Sequence, residues 1–304
     1  MELDTSFVRG VIPPIVTPVD AEDQVDEEGL RRVIEHTITG GVHGILALGS
    51  NGEFFALEPD QQERALGVTV DQVQGRVPVY MGIGAITTRE CVRLARLAET
   101  LRAQAITMLP PMFLSLSEEE LYRHFRKVAE STFLPVLLYN NPDKVGNNIS
   151  ARLLERLADI PNIVGVKDSS GDLTLTAEYI RLTRHKNFRV MAGRDTMILG
   201  SLAYGAVGCV ASTANIVPAL VVEIYDKFMA GDLAGALEAQ FKLAPLRMAF
   251  NLGSFPVVTK DAMNLIGLEV GGPIAPTMSC TELNKAKLNE ILKQMGQTET
   301  AVQN

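Results

Sequence analysis

Residues 134–171 read LPVLLYNNPDKVGNNISARLLERLADIPNIVGVKDSSG, two short apolar runs on either side of an amphipathic stretch. Leu134-Pro-Val-Leu-Leu-Tyr139 and Ile163-Val-Gly-Val-Lys167 are bounded by turn residues, the pattern of strands buried on both faces. Ala151–Ala158 between them reads as a helix, so the segment is a strand–helix–strand unit with parallel strands. Each strand ends on a side chain with chemistry. A lysine at the end of a buried strand loses hydration of its ammonium, which is expected to lower its pKa and make Lys167 a usable nucleophile toward a carbonyl. A lone strand-end lysine can equally snorkel to solvent. Tyr139, at the corresponding end of the preceding strand, favours the chemical role.

The same alternation runs outward in both directions. Strands are expected at Gly10–Val16, Gly44–Leu48, Val77–Gly82, Ala105–Leu109, Pro135–Tyr139, Ile163–Lys167, Phe188–Ala192 and Val207–Ser212. Helical patterns separate them at Asp26–Thr39, Pro59–Val73, Thr88–Leu101, Ser117–Ser131, Ala151–Ala158, Asp172–Arg184 and Thr196–Tyr204. Ser117-Glu-Glu-Glu120 fits a capping box, and Pro59 suits the first turn of its helix. Eight strands each followed by a helix predict an α/β fold, a (β/α)8 TIM barrel with a C-terminal helical extension. The barrel is expected over residues 1–230, a packed helical segment over 231–296 and a frayed tail over 297–304. The rival doubly wound nucleotide fold lacks its signature, because Gly82-Ile-Gly84 is not followed by a third glycine.

Composition narrows the function. The chain is 46% hydrophobic and 21% charged with a net charge of -8, which argues against nucleic acid or an anionic membrane as partner. Any anion site must then be local. Cys91, Cys209 and Cys280 make neither a CxxC pair nor a disulfide framework, which suits a reducing, cytoplasmic setting. The first residues carry no signal-peptide pattern. Thr196–Val222 is long and uncharged apart from its flanks, but its glycines, Pro218 and polar residues suit helix, strand and loop rather than a membrane helix.

Residues at the C-terminal ends of barrel strands converge on one face. There Gly49-Ser-Asn-Gly-Glu53 offers backbone N–H groups and the Ser50 hydroxyl as a nest for a carboxylate, and Tyr139, Lys167, Gly193 and Val210 join it. An amine nucleophile, a proton-handling phenol and a carboxylate cradle together suit a reaction on a 2-oxo acid through an imine, with no cofactor. His36, His43, His124 and His185 fall at no catalytic strand end and show no HxH or HExxH spacing, so no metal site is expected. No GxSxG elbow supports a serine hydrolase.

Gly49-Ser-Asn-Gly-Glu53, Tyr139-Asn-Asn-Pro142, Gly165-Val-Lys-Asp168, Gly193 and Gly208-Cys-Val-Ala-Ser-Thr-Ala-Asn215 stand in the order and spacing of a known family. The chain resembles the dihydrodipicolinate synthase/N-acetylneuraminate lyase family of class I, Schiff-base-forming aldolases, from about Gly10 to the C-terminal helices. The resemblance implies a cytoplasmic homotetramer, a dimer of dimers, acting on pyruvate and an aldehyde. It makes Lys167 the Schiff-base residue and Tyr139 the proton relay, with Ser50 and Asn51 on the carboxylate and Gly193 and Val210 lining the pocket. Three positions depart from the synthase pattern. Ser50-Asn51 replaces a threonine pair, Phe113 replaces a tyrosine that reaches the neighbouring subunit, and Lys144 replaces an arginine that grips the second substrate's carboxylate.

The strings Gly-Ser-Asn-Gly-Glu-Phe and Lys-Asp-Ser-Ser-Gly-Asp look closer to 4-hydroxy-2-oxoglutarate and 2-keto-3-deoxy sugar-acid aldolases, by which likeness Ser169 binds the substrate's hydroxyl. A serine after a strand is also a common helix cap. The leading expectation is therefore cleavage or formation of a C–C bond in a hydroxylated 2-oxo acid. The alternatives are dihydrodipicolinate synthase, a sugar-acid dehydratase using the same imine, and a non-catalytic protein that binds a 2-oxo acid.

Overall fold

The computed structural model describes residues 3–298. Its strands are β1 (Gly10–Val11), β2 (Ile45–Ala47), β3 (Val79–Ile83), β4 (Ala105–Met108), β5 (Val136–Asn140), β6 (Ile163–Asp168), β7 (Arg189–Ala192) and β8 (Gly208–Cys209). Helices α1 (Glu27–Thr39), α2 (Pro59–Val73), α3 (Thr88–Thr100) and α4 (Glu118–Ala129) alternate with the first strands. Short α5 (Pro142–Val145) and then α6 (Ala151–Leu157) join β5 to β6, followed by α7 (Leu173–Thr183) and α8 (Ile198–Tyr204). After β8 come α9 (Pro218–Met229), α10 (Leu233–Ala249), α11 (Val257–Leu265) and α12 (Glu282–Gln294).

All neighbours in the sheet are parallel, in the order β1-β8-β7-β6-β5-β4-β3-β2. The sheet closes where Pro14 bridges Leu46: the Leu46 N–H donates to Pro13 O at 3.0 Å and the Ile15 N–H to Leu46 O at 3.0 Å. This is the (β/α)8 barrel expected from the alternation. β1 is shorter than the expected Gly10–Val16 because Pro13 and Pro14 have no N–H to continue a ladder. β8 also stops early: the chain from Ser212 to Asn215 winds into a 3-10 turn.

Six strands, and the residues directly after β1 and β8, each supply one residue to an apolar plug in the barrel's interior. Ile12, Leu46, Tyr80, Ala105, Leu137, Val164, Met191 and Val210 pack there with Val8, all nearly fully buried. The plug closes the barrel axis, so chemistry is confined to the mouth. Between sheet and helices lies the larger core. Local signals behave as expected: Ser117 and Glu120 complete a reciprocal capping box on α4, and Asp172 accepts from the Thr174 and Leu175 N–H groups at the start of α7.

No helix among the described residues is long and apolar enough to cross a membrane. The tail expected from residue 297 lies, from 299 on, outside the described residues.

Candidate active site

Strand register brings the two chemical side chains together. Tyr139 pairs with Lys167 across β5 and β6. Both are buried, 7% and 4% exposed, and the Lys167 ammonium lies 3.8 Å from the centre of the Tyr139 ring. Alternation turns the neighbouring residues to the other face of the sheet. Asp168 is anchored there by Asn140 Nδ2 at 3.1 Å, the Ser170 N–H at 3.0 Å, Ser170 Oγ at 3.0 Å and Thr176 Oγ1 at 2.6 Å. That carboxylate fixes the end of β6 and with it the root of Lys167.

The Tyr139 phenol is held below its ordinary pKa. Burial pushes it up, but the Lys167 charge beside it and the polar side chains of Ser169, Lys167 and Ser50 outweigh burial. Asn141 Nδ2 donates to Tyr139 Oη at 2.8 Å, orienting the phenol. Sequence reading missed Asn141. Its only signal was the polar pair following the strand, and nothing in the spacing showed which of the two amides would face inward.

The Ser50–Gly52 turn follows β2. It is flanked by Leu48 at φ 55° and Glu53 at φ 51°, left-handed conformations that non-glycine residues adopt at some cost. Among the described residues the N–H groups of Ser50 and Asn51 have no acceptor, while Gly52 N–H and Glu53 N–H bond back to Gly49 O and Ser50 O. Ser50 is half-buried. Asn51 is 3% exposed and its side chain is already engaged: Nδ2 donates to Ser212 Oγ at 2.8 Å, and Oδ1 accepts from Thr259 Oγ1 at 3.2 Å. What Asn51 offers a ligand is therefore its backbone N–H.

Ser169 and Gly193 form the next side of the mouth. Ser169 Oγ donates to Gly193 O at 3.1 Å, and the Gly193 N–H to Asp168 O at 2.7 Å. A Cβ on Gly193 would lie 2.1 Å from Ser169 Oγ, so this close approach requires glycine. Val210, 2% exposed, belongs to the apolar plug that floors the site.

Two expected residues are exposed. Lys144, in α5, is exposed and places its ammonium 5.0 Å from the centre of the Phe255 ring. Phe113 is 90% exposed in a left-handed conformation, φ 73°. A cation missed in the sequence bridges the strand-end loops: Arg194 Nε donates to Ser169 O at 2.8 Å and its other end pairs with Asp143. Arg194 thus ties together the loops after β5, β6 and β7.

A small cleft at the mouth is lined by Leu48, Ser50, Gly82, Thr107 and Tyr139. A larger one of about 440 Å³ lies among α9, α10 and α12, but Leu220, Lys242, Pro245 and Ile291 bring no nucleophile with an acid–base partner. Chemistry, not size, selects the barrel mouth. Among the described residues no three His, Cys, Asp or Glu side chains gather as metal ligands would.

Comparison with known proteins finds relatives over nearly the whole chain. The model of the Dihydrodipicolinate synthetase family matches residues 7–295. A 4-hydroxy-tetrahydrodipicolinate synthase from Methanothrix thermoacetophila is 37% identical over 287 residues, covering 94% of this chain and 97% of the relative. Among solved structures, YagE from E. coli K12, a prophage protein of the dihydrodipicolinic acid synthase family in complex with pyruvate, superposes with a TM-score of 0.91 at 32% identity, covering 95% and 98% of the two chains. A monomeric dihydrodipicolinate synthase variant superposes with a TM-score of 0.93 at 29% identity, covering 96% and 98%.

Proposed function

Because this chain belongs to the dihydrodipicolinate synthetase family, we propose that it is a class I pyruvate-dependent lyase in which Lys167 forms the imine and Tyr139 moves the protons. The observation that carries this reading is the in-register pair of Lys167 and Tyr139, both buried at the mouth of the barrel with the ammonium 3.8 Å from the centre of the phenol ring. A protein that merely bound a 2-oxo acid would need neither.

The chemistry follows from the pair. The Lys167 ammonium gives a proton to a Tyr139 phenolate whose formation that same ammonium favours. The neutral amine adds to C2 of pyruvate, and the resulting hydroxyl takes a proton from Tyr139 and leaves as water. The protonated imine draws electrons from C3, which loses a proton to the Tyr139 phenolate to give an enamine. C3 then attacks the aldehyde carbon, whose oxygen takes that proton back from Tyr139 while the imine re-forms, and water hydrolyses the imine to release product and free lysine. Run backwards, the same steps cleave the C–C bond. Throughout, the Ser50 and Asn51 N–H groups and the Ser50 hydroxyl hold the carboxylate, with Ser169 and Gly193 beside the reacting carbons and no cofactor required.

The named synthase relatives favour aspartate semialdehyde as the aldehyde, ahead of the 4-hydroxy-2-oxoglutarate suggested by the Gly-Ser-Asn-Gly-Glu-Phe string. A second reading, cleavage of 4-hydroxy-2-oxoglutarate or a 2-keto-3-deoxy sugar acid, is supported by Phe113, which has no hydroxyl for a relay, and by Lys144, which lacks an arginine's planar fork. A reducing, cytoplasmic setting fits three cysteines that are free and buried.

The test is borohydride trapping with pyruvate followed by peptide mapping, and then turnover with each aldehyde or hydroxy acid. A pyruvate adduct on Lys167 with faster condensation of aspartate semialdehyde supports the synthase. The same adduct with faster cleavage of the hydroxy acid moves the protein to the second reading. Absence of any adduct on Lys167 removes both.

A further inference from the structure

Glu53 and Lys260 form the most deeply buried ion pair among the described residues. Lys260 Nζ lies 2.5 Å from Glu53 Oε2, with side chains 0% and 1% exposed. The proposed chemistry uses neither residue. Burying two charges is costly, and apolar residues of the same volume often stabilise a fold as well or better, so stability alone is a poor reason for the pair.

Its surroundings suggest a better one. Glu53 ends the Ser50–Gly52 turn, and its Oε1 accepts from the Ile274 N–H at 2.9 Å. Lys260 also donates to Gly272 O at 2.9 Å. One residue before Lys260 on α11, Thr259 donates to the Asn51 side chain. On the barrel side the turn is tied by Thr17 Oγ1, which donates to Gly52 O at 2.8 Å. The turn is thus clamped between the barrel and α11, and its left-handed flanks need such a clamp to persist.

We propose that Glu53 and Lys260 are positioning residues: with Thr259 they fix the Ser50–Asn51 turn against α11, so that its two free N–H groups meet the carboxylate of the 2-oxo acid. The C-terminal helical segment thereby becomes part of the binding site without touching the substrate. This rests on the reading that the turn holds the carboxylate. Because the clamp acts on binding and not on bond-making, its loss raises the pyruvate concentration needed for imine formation and leaves the extent at saturation unchanged.

The experiment titrates pyruvate against borohydride trapping of Lys167, read by intact mass, in the full chain and in Glu53→Gln, Thr259→Val and Thr259→Ser. Half-saturation is expected to rise about tenfold in Glu53→Gln and about threefold in Thr259→Val, the scale of one lost charged or neutral hydrogen bond. Thr259→Ser keeps the hydroxyl and is expected to match the parent. Half-saturation within twofold of the parent in both Glu53→Gln and Thr259→Val overturns the proposal, as does a loss of trapping at saturation with half-saturation unchanged. If Glu53→Gln does not fold, the valine and serine pair at Thr259 decides alone. A parent chain that forms no Lys167 adduct defeats the underlying reading, an outcome separate from these.

Discussion

Tyr139 shows how little of a side chain's role lies in its own identity. Its phenol is set by Asn141 on one side and the Lys167 ammonium on the other. Replacing Tyr139 with phenylalanine is expected to lower the turnover number about 10²–10⁴-fold, the usual worth of positioned proton transfer, while slow trapping of Lys167 by borohydride continues. A second outcome concerns a residue with no functional group. Gly193→Ala would place a methyl 2.1 Å from Ser169 Oγ and 2.7 Å from Asp168 O, so urea denaturation is expected to show a loss of about 1–3 kcal/mol along with lost activity. At this scale the sequence was legible in the placement of Lys167 and Tyr139, expected at corresponding strand ends and found paired there. It was opaque for Asn51, whose partners Ser212 and Thr259 stand 161 and 208 positions away. No local pattern encodes a bond between distant loops.

Elements were read from periodicity, and the errors fell where prolines or turns overrode it. The apolar run after Gly10 continues to Val16, but regular strand ends at Val11; Ile12 still donates to Cys209 O, and the two prolines that follow lack donors. Helix α4 was legible down to its cap, and Ser117→Ala is expected to lower stability by about 1 kcal/mol in urea denaturation. The same helix carries an ionisable group that its pattern did not reveal as buried. His124 is 5% exposed, its Nδ1 lies 2.8 Å from Thr88 Oγ1, and burial lowers its pKa from 6.5 to about 4. The unfolded chain therefore takes up the proton first as pH falls. The neutral ring's contribution is complete above pH 6.5 and drains away between 6.5 and about 4, by roughly 3 kcal/mol. Stability measured by urea at pH 7 and pH 4 is expected to fall by about that much more in the parent than in His124→Gln.

For the whole molecule, alternation of eight apolar runs sufficed to predict the barrel, because each helix must return the chain to a parallel neighbour. Assembly was not legible in that way, since it depends on the outer surface. A homotetramer remains a proposal from family likeness, and a monomeric synthase variant of the same fold shows that the barrel does not by itself dictate association. Sedimentation equilibrium is expected to give a species of four 33.0 kDa chains, and a single-chain mass would refute the tetramer. The barrel's closure has a consequence of its own. The wall between β1 and β2 is held by three backbone hydrogen bonds around the Pro14–Leu46 bridge, while β5 and β6 are paired along five positions. Local opening of the native state follows such differences, so the amides of Ile15 and Leu46 should trade hydrogen for deuterium sooner than those of β5 and β6. The Ser50–Gly52 loop, proposed to receive the anion, follows β2 directly beyond that seam, so breathing there reaches the edge of the proposed site.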